Sequence, residues 1–215
     1  MEIAVRVNRT KYDVFRWRYE LSIPKKLALA LGLAALTGLL AQVRFLNPWM
    51  PEIPITGQTF AVLLAGVLMG RWWGDVSMAI FAGLGVAGLP WFSGWASGLG
   101  ATGGYIIGFI FAALFLGYFT DKYIRSRSFL SMLVLMLFAN FILIWIPGLI
   151  WRGLWLNMVA EAPMALISSL VGSIPFIPGD IIKAVAAAAI ARGVTPKLAY
   201  NGEVDKDKWA NWHIP

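Results

Sequence analysis

The residues best suited to chemistry are Asp180 and Lys183, in Pro178-Gly179-Asp180-Ile181-Ile182-Lys183. They head a run, Ala184 to Ala191, that is otherwise wholly apolar. An ionisable group beside such a run is costly to keep, so it marks a candidate functional site. Pro178 and Gly179 interrupt the preceding chain, and a helix is expected to begin at about Asp180. At i,i+3 spacing the carboxylate and the ammonium share one helical face. Two readings follow. Asp180 is an N-cap with Lys183 as its ion-pair partner, or the pair faces a cavity and binds a polar ligand.

Three further stretches hold candidate contacts. Pro90 to Ala101 is uncharged and glycine-rich, with Trp91, Phe92 and Trp95. Those rings suit the cover of an apolar or ring-shaped molecule, or an aromatic belt at a membrane surface. Thr102-Gly103-Gly104-Tyr105 opens the next apolar run, and a small-residue helix start offers free N–H groups to a polar ligand. Gln58 lies at the start of another run, where its amide either faces a cavity or caps the backbone. Ala30, Ala34 and Gly38 recur every four residues. That stripe permits close helix approach, either within the chain or as a docking face for a partner subunit.

Composition sets the frame for these groups. The 215 residues are 59% hydrophobic and 13% charged, with mean hydropathy +0.71. Soluble domains carry about a quarter charged residues, so the chain is expected to be an integral, multi-pass protein of the cell membrane. There is no cysteine, which excludes disulfides and thiolate metal sites. The single histidine, His213, lies in a polar tail, so neither a histidine metal site nor a Ser-His triad is expected. No GxxxxGK[ST] loop is present. Any uphill transport must draw energy from a partner or an ion gradient. Asp180 and Lys183 alone are a thin constellation for catalysis, and no enzyme activity or cofactor is expected.

The elements that must position these residues read as an all-α membrane protein with six spans. They are Leu27–Phe45, Gly57–Met69, Asp75–Leu89, Thr102 to about Phe119, Phe129 to about Leu149 and Asp180 to about Ala191. Gly70 to Gly74 is expected to form a tight basic turn, and Leu46 to Thr56 a proline-rich loop. Trp151 to Ser173 is too polar for a plain span and reads as an extension of the fifth helix followed by a surface helix. Residues 1–24 form a basic arm, suited to an interfacial helix on anionic lipid. Residues 25–193 form the membrane unit, and 194–215 a polar tail. With both ends inside, the inner side takes Arg6, Arg9, Lys11, Arg16, Arg18, Lys25, Lys26, Arg71, Lys122, Arg125, Arg127, Arg192, Lys197, Lys206 and Lys208. The outer side takes only Arg44 and Arg152. The bias supports an N-in, C-in topology. It also argues against nucleic acid as a partner, because the charge is spread over separate turns. This topology puts Asp180, Lys183 and the loops 46–56 and 90–101 on the outer side, around an outward-facing pocket.

Four ordered motifs carry a resemblance. Ile53-Pro-Ile-Thr-Gly-Gln-Thr-Phe-Ala-Val-Leu-Leu-Ala-Gly, Gly85-Val-Ala-Gly-Leu-Pro, Gly100-Ala-Thr-Gly-Gly-Tyr-Ile-Ile-Gly-Phe and Pro175-Phe-Ile-Pro-Gly-Asp-Ile-Ile-Lys resemble the BioY family. These are substrate-binding (S) components of energy-coupling-factor (ECF) biotin transporters. The resemblance spans about residues 27 to 193. It implies a six-helix S-component fold that binds biotin tightly and works with a transmembrane coupling (T) subunit and two cytoplasmic ATPases. It further implies that the first helix docks the T subunit through a small-xxx-small face, matched by Ala30 and Ala34. Biotin's ureido N–H groups suit Asp180 as acceptor. Its ureido oxygen or its carboxylate suits Lys183, and its thiophane ring and aliphatic tail suit the Trp, Phe and Tyr walls. Readings from other classes are an S component for another vitamin and a membrane assembly protein whose charged pair is only an ion bridge.

Overall fold

Long apolar runs satisfy their backbone internally only as helices when water is absent, and the chain is built almost wholly of them. The computed structural model describes residues 2–45, 55–158, 171–200 and 202–209. The proline-rich loop 46–54, the segment 159–170 with Glu161 and Pro163, and the terminal residues 210–215 with His213 lie outside the described residues.

Helix α1 (Glu2–Glu20) precedes α2 (Ile23–Ala41), which has Pro24 in its first turn. A two-residue pairing follows, β1 (Arg44–Phe45) with β2 (Ile55–Thr56), antiparallel with Arg44 opposite Thr56. Helix α3 (Gln58–Val86) breaks at Gly70. Then come α4 (Gly103–Lys122), α5 (Phe129–Phe138), a π segment (Ala139–Ile144) and α6 (Trp145–Met158), the last three continuous. A 3-10 turn (Ile174–Phe176) leads into α7 (Ile177–Val194), and α8 (Lys206–Trp209) closes the tail.

Four stretches of the described residues are long and apolar enough to cross a membrane: Ile23–Ala41, Gly103–Lys122, Phe129–Met158 and Val171–Val194. Their outward positions are apolar, as at Leu31, Phe111, Leu130 and Ile182. That is the surface of a protein solvated by lipid.

The break in α3 corrects the expected five-residue turn. Gly70 alone reverses the chain, with φ 78° and ψ 176°, a backbone conformation that side-chain-bearing residues avoid. The two arms then lie so close that a Cβ on Gly74 would stand 2.6 Å from the Gly66 Cα. Helix α4 packs into the same seam: a Cβ on Gly66 would meet the Ala113 carbonyl at 2.1 Å, and one on Gly117 the Arg71 Cα at 2.5 Å. Small residues permit this approach where no hydrophobic force gathers helices in lipid. Around the seam lies the core of Leu63, Met78, Phe81, Phe109, Leu116, Met132 and Met136, closed by Ala184, Ala187 and Ala188 of α7.

The first span is also corrected. It runs 23–41, and Arg44–Phe45 is strand. Ala30, Ala34 and Gly38 are buried, and a Cβ on Gly38 would press on Trp91 at 3.0 Å. The small residues of this stripe here serve the packing of α2 on α3 and on the 90–101 loop.

At the other end, the arm and the tail are docked on the helices. Arg18 donates to the carbonyls of Val67 and Leu68, left free by the reversal at Gly70, and to Asp121 and Tyr200. Asp121 also accepts the Arg71 N–H at 3.0 Å. Arg127 forms a buried ion pair with Glu203 and donates to the carbonyls of Thr120, Pro196 and Leu198.

Candidate functional site

Helix α7 begins at Ile177 with Phe176 in the capping position. Asp180 is therefore inside the first turn, which overturns its reading as an N-cap. The other half of that reading holds: Lys183 Nζ lies 2.6 Å from Asp180 Oδ1. Both are largely buried. Gly179 leaves room for Ile55 of β2 beside this turn.

The opposite carboxylate oxygen is held by two neutral donors on another helix. Asn140 Nδ2 and Trp145 Nε1 each donate to Asp180 Oδ2 at 2.9 Å. Positions five apart stand about 140° apart on an α-helix at 100° per residue. They meet here because the intervening turn is π: the Trp145 N–H bonds the Asn140 carbonyl, an i→i+5 step. Such turns recur at functional sites, and this one aims two donors at one atom. Asn140 is 1% exposed, so the carboxylate also keeps its amide satisfied.

Lys183 completes its shell from α3 and β2. Nζ donates to Thr59 Oγ1 at 2.7 Å and to the Thr56 carbonyl at 3.2 Å. An ammonium has three donors, and here they serve Asp180, Thr59 and Thr56. The carboxylate, with about four acceptor positions, has three in use among the described residues. The site thus has one acceptor position to offer at Asp180, and Lys183 reaches a new oxygen only by releasing one already held.

The other sequence-derived candidates fall into two groups. Tyr105 lies toward the same end as the charged pair, within electrostatic reach of Asp180 and Arg152. Its ring is pressed on Gly148, where a Cβ would stand 2.3 Å away. Gly103 and Gly104 are buried under α6; a Cβ on Gly104 would strike the Pro147 carbonyl at 2.2 Å. Trp151 fastens this helix start by donating to the Gly100 carbonyl at 2.9 Å. Thr102 holds the helix-start position through its carbonyl, which accepts from Tyr105 and Ile106. Gln58, half-buried, opens α3 one residue before Thr59.

Trp91 and Phe92 are brought elsewhere. They fold under the loop against Phe81, and the Trp91 indole donates to the Phe81 carbonyl at 2.9 Å. Phe92 fills the space over Gly85, where a Cβ would lie 2.1 Å from its ring. They are core residues of the α2–α3 side. Trp95 stands outward, 62% exposed, on a left-handed backbone with φ 59°. Gln42 holds this loop: its amide donates to the Gly38, Trp91 and Phe92 carbonyls and accepts from Gly94 and Trp95.

Sequence reasoning missed Trp145, Thr59 and Gln42, and left Asn140 without a role. Asn140 carried the one usable signal, a lone amide in an apolar run. Among the described residues no cluster of three or more His, Cys, Asp or Glu could hold a metal ion.

A model of the BioY family matches residues 10–200. A probable biotin transporter BioY of Methanothermobacter thermautotrophicus is 48% identical over 157 residues, 71% of this chain and all of that protein. A biotin transporter BioY of Lactococcus lactis subsp. cremoris is 33% identical over 146 residues, covering 65% of this chain and 74% of its own. The fold is similar to a crystal structure of the S-component for biotin from an ECF-type ABC transporter, with TM-score 0.65 and 28% identity, covering 80% of this chain and 93% of that one. On the extent of that match, the chain belongs to the BioY family.

Proposed function

We propose that this chain is the biotin-binding S component of an ECF-type transporter. The observation that carries the reading is an anionic carboxylate kept in an apolar helix by Lys183, Asn140 and Trp145, with one acceptor position left over. Such a site fits a neutral, N–H-rich ring. A ureido N–H of biotin takes the open position on Asp180, and Lys183 exchanges the Thr56 carbonyl, its longest bond, for an oxygen of the ligand. Tyr105, Gln58 and the helix start at Thr102 border the same end, where the rings and chain of biotin find apolar cover. Trp95 closes over them from the loop tip.

The chain crosses the cell membrane six times in this reading, as α2, the two arms of α3, α4, the continuous α5–α6 and α7. Both termini are cytoplasmic, and the site faces outward. Energy comes from a T subunit and two cytoplasmic ATPases, since the chain has no phosphate-binding loop of its own. With Ala30, Ala34 and Gly38 buried, the small residues that α2 does expose are Ala28, Gly32 and Ala35. A Cβ on Gly32 would meet nothing within 4 Å. This face receives the T subunit.

Isothermal titration of the purified, detergent-solubilised chain against biotin and a panel of other vitamins tests the reading. Tight binding of biotin alone is expected. Tight binding of a different vitamin, or of none, removes it.

A further inference from the structure

Helix α1, docked through Phe15 and Arg18, leaves space beside the helices it crosses. Beneath it runs a groove of about 620 Å³, in the size range of small-molecule sites. Val14 and Trp17 of α1 form one wall, and Leu29, Met69 and Val194 the other. These last three belong to the ends of α2, of the first arm of α3 and of α7. The groove therefore lies where membrane-crossing helices end, at the boundary between acyl chains and headgroups. Arg6 and Lys11, both on α1, line the same groove.

We infer that this groove binds one anionic phospholipid, its acyl chain along Val14, Leu29 and Met69 and its phosphate on Arg6 and Lys11. Charge complementarity selects the occupant. Partial burial, and after it the nearby charges of Lys197 and Arg192, push the Lys11 ammonium below the usual lysine value. An anion relieves such crowding of like charge. The apolar walls select the rest of the molecule, because a free phosphate leaves Val14, Leu29 and Met69 uncovered. Trp17, 56% exposed, is of the type that settles at headgroup level. The site is remote from Asp180 and does not depend on what that residue binds.

Native mass spectrometry of the full chain, released from detergent with equimolar phosphatidylglycerol and phosphatidylcholine, tests this. One phosphatidylglycerol is expected to remain bound, preferred about tenfold or more. In the Arg6→Gln/Lys11→Gln variant the preference falls to near unity with biotin binding unchanged. In Met69→Trp, which fills the trough and keeps the charges, retention of either lipid is lost. Equal retention of the two lipids by the wild type overturns the inference, as does undiminished preference in the double variant. Competition by glycerol 3-phosphate at millimolar concentration makes the site one for soluble anions and overturns it as well. So does a groove that stays empty of lipid and is covered only when a coupling subunit is added.

Discussion

Asp180 and Lys183 hold each other, and each also holds partners that, in the proposed reading, a solute shares or displaces. A charge-assisted hydrogen bond contributes about 1.5–3 kcal/mol, and leaving a buried charge unpaired costs more. Asp180→Asn and Lys183→Ala are therefore expected to weaken biotin binding by at least about a hundredfold, read by isothermal titration, with helix content by circular dichroism unchanged. Asn140→Leu removes one donor from Oδ2 and keeps the volume; about tenfold weaker binding is expected from the same titration. At this scale the sequence was legible where chemistry contradicted its surroundings. An acid and an amine beside an alanine run announce themselves, and so does a lone amide among isoleucines. Trp145 and Thr59 do not, because an indole or a threonine in a span is ordinary until a distant carboxylate or ammonium turns out to face it. Trp91 and Phe92 read as ligand cover or as an aromatic belt, because rings in a glycine-rich loop look alike whether they turn outward or tuck over a glycine such as Gly85.

Helical elements act here through register. The π turn lets Asn140 and Trp145 share Asp180, and this can be tested without changing either donor. Deleting Phe141 closes the π turn to an α turn and leaves the two donors four apart, still on one face. Biotin binding is expected to survive within about tenfold. Deleting Leu135 instead offsets the helix on either side of the cut by about 100° and is expected to abolish binding. Survival of binding in the second variant would remove the register argument. Gly117 offers the parallel test for packing. A side chain there meets the Arg71 backbone, so Gly117→Val is expected to cost about 1–3 kcal/mol, seen as a lower Tm in detergent. The sequence showed that such glycines permit close approach. It did not show between which helices, since a small-residue stripe reads the same inside a chain as between two. Ala30, Ala34 and Gly38 show that ambiguity, packed in this structure against the chain's own elements.

Across the whole molecule, the two ends differ in what they are built for. One gathers the charged pair, Tyr105, the β1–β2 pairing and the loop clamped by Gln42. The other is a knot of Arg18, Asp121, Tyr200, Arg127 and Glu203 that fastens arm and tail to the helix ends. Burial and the Asp121 carboxylate raise the Tyr200 hydroxyl well above its usual value of 10.0. The folded state thus keeps a proton that the unfolded chain releases. Stability from Tyr200 is complete below about pH 10 and declines as the pH climbs past that value. Thermal unfolding followed from pH 8 to 11 is expected to fall less steeply in Tyr200→Phe than in the wild type. The arm and the tail looked like separate polar appendages in the sequence because their anchors, Phe15, Arg18, Tyr200 and Glu203, are single residues in otherwise hydrophilic stretches.

The reversal at Gly70 bears on how the protein is made. Each arm of α3 falls short of the roughly 20 residues that a helix needs to rest in a bilayer by itself. If both arms cross the membrane, as proposed, neither is expected to settle in lipid without the other. On the proposed six-span reading the two arms insert as one pair, and Arg18, translated before them, is already in place to meet the Val67 and Leu68 carbonyls at the tip of that pair.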